Sequence, residues 1–421
     1  MQNNRSTARV TKASPPEGRI PLITLGHARM SKMPVSTAIL PTVAFVTNIV
    51  PIYRYPVFGS LHRVGSFRFK ILVTVPLSES CREAIATLPM EHSASLNLRY
   101  TTNHRTAGAS QREPLSIPLS VAGDLIRFRP DIIVAGDLGI RSLICWVAAK
   151  CIGSRFVLWS EDIESSANGR SRLQRQLRRF LVKRADAFLA WGEPAQRYIE
   201  SFGVPPSRIF TCAQAIDNEY WLQQAQRLDR AAERTALGLS GTVFLLVGRA
   251  LPLKGFQNFL QAWGGLPREL HARISAVIVG DGDHLASLRA LAAARGLSNV
   301  RFAGAKSAAE LARYYAAADV FVLPSLVDVW GLVVNEAMCF GLPILASQYS
   351  GAAQSLVSGE IGIVFNPLDI EGFTSRLRDW AENPPIPAPK HCRQVLGNVA
   401  FSQSIAAIQK MVTGLASAGC E

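Results

Sequence analysis

The chain has 421 residues, of which 48% are hydrophobic and 18% charged, so it can bury a large core and is too long for one ordinary domain. Its net charge of +14 favours partners that carry phosphate, whether nucleotide, anionic lipid or nucleic acid. The longest apolar segment, residues 39–52, is too short to span a bilayer and is interrupted by Pro41, Asn48 and Pro51. The seven cysteines are scattered and never spaced as a zinc or thiol-exchange pair, which favours a reduced, cytosolic setting.

Residues 1–40 are rich in basic residues, serine, threonine and proline, and Glu17 is their only acid. They lack the apolar run and the cleavage site of a secretory signal. We interpret them as disordered. An organelle transit peptide, or a true start at Met30 or Met33, would explain the same composition, because regular structure is expected only from about Thr42.

From Thr42 onward, short β-branched apolar runs alternate with helical stretches, which predicts an α/β fold with parallel sheets. The polar stretch 217–240 predicts a domain boundary. We therefore expect one domain over 41–220, a second over 221–385 and a helical segment over 386–421. This last segment could cross back and pack on the first domain. The predicted strands are 43–47, 69–75, 131–135, 155–159, 187–191, 242–247, 276–279, 300–303, 320–323, 343–346 and 362–365; the predicted helices include 141–150, 171–183, 194–202, 285–295 and 308–317.

Two cations follow the predicted strand 242–247. Gly248 and Arg249 end the strand, and Lys254 and Gly255 stand just before a helix. A diphosphate placed there would meet two positive charges and the unpaired amides of a helix start. A pair of solvated loop charges is the alternative, because so short a motif has a high false-positive rate.

Two carboxylates, Asp328 and Glu336, lie on either side of Gly331, after the predicted strand 320–323. Asp328 is expected on the loop and Glu336 in the following helix. Carboxylates suit the vicinal hydroxyls of a sugar or ribose, and a glycine lets backbone amides approach a phosphate. Taken alone, this pattern fits a helix-entry aspartate and a surface glutamate better.

The two signals fall at corresponding strand ends of one domain, with Gly280-Asp281-Gly282 between them. Because the two motifs occur in this order within one domain, residues 243–373 resemble the C-terminal domain of the retaining family 4 (group 1) glycosyltransferases. Residues 47–58 resemble the opening of the members that build exopolysaccharide or lipopolysaccharide. The resemblance implies the GT-B architecture, in which two Rossmann-like parallel-sheet domains face each other across a cleft.

The resemblance also implies an activity: transfer of a sugar, with retention and without a metal or other cofactor, from a nucleotide diphosphate sugar to a glycan or lipid-linked acceptor held by the first domain. A bacterial enzyme in the cytoplasm, or on the inner face of the membrane, would fit this activity. The expected catalytic residues are Arg249, Lys254, Asp328 and Glu336. Gly248, Arg249 and Lys254 would bind the diphosphate, Gly331 and Leu332 would offer amides to phosphate, Glu336 would bind ribose and Asp328 the transferred sugar.

Two positions depart from the family pattern. Most relatives have glutamate where this chain has Asp328, whose carboxylate is displaced by about 1.5 Å, one C–C bond. This departure motivates a second hypothesis, a catalytically inactive GT-B protein acting as a membrane-surface partner. Several relatives have a histidine after the strand that here ends at Trp159, where this chain has Glu161. Glu161 could replace that contact with sugar or be a plain loop acid.

The predicted helix 171–183 is strongly basic. Leu173, Leu177, Phe180 and Leu181 are expected on an inward face, with Arg172, Arg175, Arg179 and Lys183 opposite. The cations are either a solvated face or a docking surface for anionic lipid. Nucleic acid is disfavoured because no aromatic residues interleave with the cations. A nicotinamide cofactor is disfavoured because Gly280-Asp281-Gly282 lacks the third glycine of a dinucleotide fingerprint.

Overall fold

The computed structural model describes residues 40–75, 87–104, 109–167 and 170–417, which contain two parallel-sheet α/β domains. The predicted fold class is therefore confirmed. The interpretation of residues 1–40 as disordered concerns residues that, except for Leu40, lie outside these ranges.

The central strands of the first sheet are buried on both faces. In β1 (Thr42–Thr47), Val43 and Phe45 pack into one hydrophobic cluster while Ala44 and Val46 pack into another on the opposite face. Such two-sided burial is typical of parallel sheets covered by helices. The other strands of this sheet are β2 (Arg68–Val73), β3 (Met90–His92), β6 (Ile132–Gly136), β7 (Arg155–Ser160), β8 (Ala187–Trp191) and β9 (Ile209–Cys212). In the described part of the chain, the seven strands run parallel in the order β3-β2-β1-β6-β7-β8-β9.

The central strands of the second sheet are likewise buried on both faces. Its strands are β10 (Thr242–Val247), β11 (Ile274–Val279), β12 (Val300–Gly304), β13 (Val320–Leu323), β14 (Ile344–Ser347) and β15 (Gly362–Phe365). The order is β12-β11-β10-β13-β14-β15, and every pairing is parallel. The strands predicted from the sequence agree with the observed strands to within two residues at each end.

The helices that cover the two sheets are α1 (Tyr55–Val64), α2 (Val121–Phe128), α3 (Ile140–Ile152), α4 (Glu164–Ala167), α5 (Arg172–Arg184), α6 (Glu193–Glu200), α7 (Asn218–Arg227), α8 (Arg230–Leu237), α9 (Phe256–Gly264), α10 (Arg268–His271), α11 (Leu285–Ala294), α12 (Ala308–Ala317), α13 (Val333–Cys339), α14 (Gly351–Leu356), α15 (Ile370–Glu382), α16 (Pro389–Gly397) and α17 (Phe401–Ser417). An antiparallel hairpin of β4 (Ser95–His104) and β5 (Ala109–Pro118) was not predicted. Helices α7 and α8, capped by Asp217 and Asp229, occupy the polar stretch that was expected at the domain boundary.

Helix α17 packs on the first sheet although it follows the second sheet in sequence. Its Ile408, Met411 and Val412 are buried in the same cluster as Val43 and Phe45. The last described helix is therefore part of the core of the first domain.

The inward face predicted for the basic helix is wrong at one position. Leu173 is 74% exposed, because the first turn of α5 extends beyond the core. Leu181 and Val182 are buried, and so is Arg178. Arg172, Arg175, Arg179 and Lys183 are exposed, as expected.

Candidate functional site

Three loops meet at the carboxyl edge of the second sheet. The backbone N–H of Ala250, after β10, donates to the carbonyl of Asp281, after β11 (2.9 Å). The N–H of Leu326, after β13, donates to the carbonyl of Leu253 (2.8 Å). The turn that carries Lys254 is thus tied to the loop that carries Asp328.

Gly255 is needed for this close approach. Its φ of +67° is in the left-handed region, and a Cβ atom there would lie 1.9 Å from the carbonyl oxygen of Pro324. Any other residue would push the two loops apart.

Lys254 and Asp328 are in direct contact. The Nζ of Lys254 donates to Oδ2 of Asp328 at 2.6 Å, and the hydroxyl of Ser325 lies 3.3 Å from the same oxygen. The two side chains are 22% and 10% exposed. Arg249, by contrast, is exposed, and among the described residues it has no ion-pair partner. The site therefore has one cation held by a carboxylate and one open to solvent.

Gly331 and Leu332 lie between Asp328 and helix α13. Gly331 has a φ of +97°, and a Cβ atom there would lie 2.9 Å from Leu323 Cδ2 and 3.6 Å from Oδ2 of Asp328. Leu332 is the N-cap residue of α13. Backbone N–H groups at a helix start have no intrahelical acceptor, so they are available to an anion.

Glu336 lies in α13, and among the described residues it forms neither a hydrogen bond nor an ion pair with Lys254 or Asp328. It accepts a hydrogen bond from the Tyr315 hydroxyl on α12 (2.7 Å). Burial raises the pKa of Glu336 to about 7, and the Tyr315 hydrogen bond partly opposes this rise. The pKa of Tyr315 itself is raised well above its usual value by burial and by Glu336, so Tyr315 stays a proton donor. Sequence reasoning missed Tyr315, since nothing local links helix α12 to Glu336.

The first domain contributes a second charged pair near Asp328. Arg54 is 1% exposed, and its guanidinium lies 2.8 Å from Glu161 and 3.8 Å from the ring centroid of Trp191. Burial raises the pKa of Tyr53 to about 12; Arg54 lowers this pKa, whereas Glu161 and Asp328 raise it further. Tyr53 thus lies within electrostatic reach of carboxylates from both domains. Glu161 is the counter-ion of a buried arginine, not a plain loop acid.

Direct contacts also join the two domains. The Trp330 ring lies against Gly192, where an added Cβ atom would come within 2.8 Å of it. The Asn335 amide donates to the carbonyl of Gln214 (3.1 Å) and accepts from the Trp330 indole (2.9 Å). Residues next to Asp328 therefore form part of the domain contact.

Residues 229–395, which include Arg249, Lys254, Asp328 and Glu336, match the family described as glycosyl transferases group 1. This part of the chain is a group 1 glycosyltransferase domain. The family resemblance recognised from the sequence is thereby confirmed.

Curated proteins similar to this chain include a D-inositol 3-phosphate glycosyltransferase of Streptomyces scabiei (strain 87.22), which is 31% identical over 221 aligned residues and is covered to 49%, as is this chain. The sulfoquinovosyl transferase SQD2 of Arabidopsis thaliana is 26% identical over 306 residues, which are 70% of this chain and 57% of the relative. The chain spans about half the length of the curated relatives that it matches first.

Solved structures match the fold over both domains. Anabaena Alr3699/HepE in complex with UDP superposes with a TM-score of 0.67 at 16% identity, covering 90% of this chain and 100% of that chain. WaaG, a glycosyltransferase involved in lipopolysaccharide biosynthesis, superposes with a TM-score of 0.61 at 18% identity, covering 88% and 100%. The fold is therefore GT-B, as the resemblance implied. Across the described ranges, every helix falls short of the length or hydropathy that crossing a bilayer requires.

Proposed function

We propose that the chain is a glycosyltransferase that moves a sugar from a nucleotide diphosphate sugar to a glycan or lipid-linked acceptor. The observation that carries the proposal is the Lys254–Asp328 contact of 2.6 Å beside the exposed Arg249, at the strand ends where open parallel sheets bind their ligands. The group 1 family match of residues 229–395 supports it.

The diphosphate of the donor would bind to Arg249 and Lys254. Arg249 can grip a phosphate through paired donors, and Lys254 acts as a point charge. A diphosphate that approaches Lys254 competes with Asp328 for its ammonium group. Donor binding thereby frees oxygens of Asp328 to accept hydrogen bonds from sugar hydroxyls. In the transition state, the two cations stabilise the charge that develops on the departing nucleotide diphosphate.

Glu336 would bind the ribose hydroxyls of the donor. Its ionised carboxylate accepts two hydrogen bonds, while Tyr315 fixes its orientation through the 2.7 Å hydrogen bond. Because the pKa of Glu336 is about 7, this acceptor capacity is fully present only above neutral pH.

The acceptor would bind to the first domain, opposite Asp328 and near Tyr53. Closure of the cleft would exclude water that otherwise hydrolyses the donor. We expect the anomeric configuration to be retained and the reaction to need no metal ion, as the family resemblance implies. In the described ranges, no group of three or more His, Cys, Asp or Glu side chains is arranged to hold a metal ion.

The test is nucleotide release from a panel of nucleotide sugars, measured on the purified chain with and without excess chelator. We expect release from at least one donor and about a tenfold or larger loss of kcat/KM in Arg249→Ala and in Lys254→Ala, because charge-assisted phosphate contacts are worth about 1.5 to 3 kcal/mol. Normal turnover in either variant contradicts the donor site. No release from any donor favours the inactive partner, release abolished by chelator indicates a metal, and NMR of the product tests retention.

A further inference from the structure

A basic groove lies between helices α5 and α6, outside the site described above. It encloses about 750 Å³, and its polar lining includes one carboxylate, Glu164, among the described residues. Six cationic side chains line it: Arg170, Arg175, Arg178, Arg179, Lys183 and Arg197. A concave surface with so many like charges raises the local concentration of anions.

Three of these cations are in contact with carboxylates. The carboxylate of Asp162 accepts from Arg170 and from Arg178, both at 2.7 Å. Arg197 pairs with Glu193 at 2.5 Å. These contacts hold the floor and one rim of the groove in a fixed arrangement.

The other three cations are Arg175, Arg179 and Lys183. Within the described ranges, none of the three has a carboxylate at ion-pair distance. Tyr198 adds a neutral donor at the floor: it accepts from Arg178 (3.0 Å), and burial raises its pKa, so its own proton stays available. Arg175 also donates to the backbone carbonyl of Arg170 (2.5 Å). Three positive charges that lack a carboxylate partner, together with a hydroxyl donor, match the oxygens of a phosphate or diphosphate.

The groove is connected to the proposed reaction centre. Helix α4, which contributes Glu164 to its wall, also carries Ser165, whose hydroxyl lies 3.4 Å from the carbonyl of Tyr349. The same carbonyl accepts from the N–H of Asp328 (3.1 Å). Gln354, from the second domain, also lines the groove. One wall of the groove is therefore linked through Tyr349 to the loop that carries Asp328.

Asp162 also links the basic groove to a second, smaller pocket. Besides holding two arginines of the groove, it lines a smaller pocket of about 190 Å³ at the carboxyl edge of the first sheet, together with Asp137 and Glu161. Carboxylates there suit hydroxyl groups, so an acceptor could place its phosphate in the groove and its hydroxyl in this pocket.

We propose that the basic groove binds the phosphate or diphosphate group of a lipid-borne acceptor. Apolar side chains of Val182 and Phe202 line the groove beside the cations, and Leu173 is 74% exposed on the same helix as Arg175 and Arg179. Basic residues with an adjacent exposed apolar residue suit an anionic lipid surface. The inference rests on the proposed function, because it names the acceptor class of that reaction.

The test compares two variants of one helix that lose the same charge. The variants are Arg179→Gln and Arg172→Gln. Arg179 lines the groove, whereas Arg172 is exposed on the same helix α5 but does not line the groove. Binding of the full chain to vesicles of phosphatidylglycerol in phosphatidylcholine, against phosphatidylcholine alone, should weaken about tenfold in Arg179→Gln and less than about threefold in Arg172→Gln. Arg179→Lys, which keeps the charge, should retain most of the binding. Inorganic pyrophosphate should displace the wild-type chain from vesicles at concentrations where sodium chloride of equal ionic strength does not.

Each other outcome overturns part of the proposal. Equal weakening in Arg172→Gln and Arg179→Gln means general adsorption to the surface and excludes the groove. Pyrophosphate binding that depends on Arg179, without vesicle binding, excludes a lipid source. Thermal unfolding of each variant identifies loss of fold. If Arg179→Gln does not fold, vesicle binding by Arg179→Lys decides: loss of binding in that variant contradicts a role for the positive charge. Nucleotide release by the wild-type chain is measured separately: its absence contradicts the proposed function, while the vesicle comparison decides the groove.

Discussion

The Nζ of Lys254 lies 2.6 Å from Oδ2 of Asp328, joining two loops that are 74 residues apart in sequence. Both side chains are mostly buried, so each depends on the other for charge compensation. We expect the contact to stabilise the two loops, and under the proposed function a bound diphosphate would compete for Lys254 and release Asp328.

Lys254→Met should lower the free energy of unfolding by about 2 kcal/mol, because Asp328 is then buried without a counter-ion. Adding Asp328→Asn should recover much of that loss, as measured by urea unfolding. Arg249→Gln is the control: its exposed side chain should change stability by less than about 0.5 kcal/mol while weakening donor binding. If Lys254→Met is as stable as the wild type, the pair has no structural role.

Glu336→Gln should stabilise the fold at pH 8 and have little effect at pH 5. The folded-state pKa of Glu336 is raised from 4.5 to about 7, so the folded chain binds this proton more tightly than the unfolded chain does. The associated stability is fully present below pH 4.5 and is lost as the pH rises through about 7. The gain at pH 8 should reach roughly 2 to 3 kcal/mol. An equal gain at both pH values would mean that ionisation of Glu336 is not its cause.

The same carboxyl should give donor binding a pH dependence. We expect KM for the donor to rise as the pH falls below 7, because protonated Glu336 accepts fewer hydrogen bonds from ribose. Tyr315→Phe removes a hydrogen bond that lowers this pKa, so the rise should begin at a higher pH. A KM profile that is identical in Tyr315→Phe would separate Glu336 from donor binding.

Gly331→Ala should destabilise the fold by about 2 to 3 kcal/mol and reduce activity. The added Cβ atom would clash with Leu323, and the backbone of residue 331 is in a conformation with positive φ that alanine disfavours. Gly296→Ala is the matched control. Gly296 has a φ of +66° but no neighbour within 4 Å of an added Cβ atom. Gly296→Ala should therefore lower the free energy of unfolding only by the backbone strain, about 1 kcal/mol. Equal losses in the two variants would show that crowding at Gly331 is unimportant.

Arg54 and Glu161 should stabilise the fold as a pair, and replacing one or the other should lower the free energy of unfolding by unequal amounts. Glu161→Gln leaves a fully buried guanidinium without its carboxylate, and we expect a loss of about 3 kcal/mol. Arg54→Met leaves only the partly exposed Glu161 unpaired, so the loss should be nearer about 1 kcal/mol. The double variant should be more stable than Glu161→Gln alone. Additive losses in a double-mutant cycle would contradict a direct interaction between the two side chains.

Local sequence patterns predicted most of the two sheets. Runs such as the one ending at Val247 are β-branched, apolar and bounded by glycine, so burial on both faces follows from composition. Helices α7 and α8 escaped prediction because their residues are mostly polar, although Asp217 and Asp229 are recognisable N-caps. Leu173 was misplaced because helical periodicity gives a face but not where the neighbouring core ends.

The candidate site was predictable only where its parts are local. The loops of Lys254 and Asp328 follow strands of one sheet, so their meeting could be expected from topology. The Tyr315–Glu336 hydrogen bond and the Arg54–Glu161 pair depend on how separate elements pack, and no spacing in the sequence encodes either one. The roles assigned to Arg249, Lys254, Asp328 and Glu336 stay predictions.

The return of helix α17 to the first sheet has a consequence for dissecting this chain. The backbone passes between the domains twice, once before α7 and once before α17, so the first domain is built from two separate stretches of sequence. A fragment that ends before Phe401 would expose the apolar surface around Phe45 that Ile408, Met411 and Val412 cover. Expression of the first domain alone therefore calls for a fusion in which residues 401–417 follow β9 through a short linker.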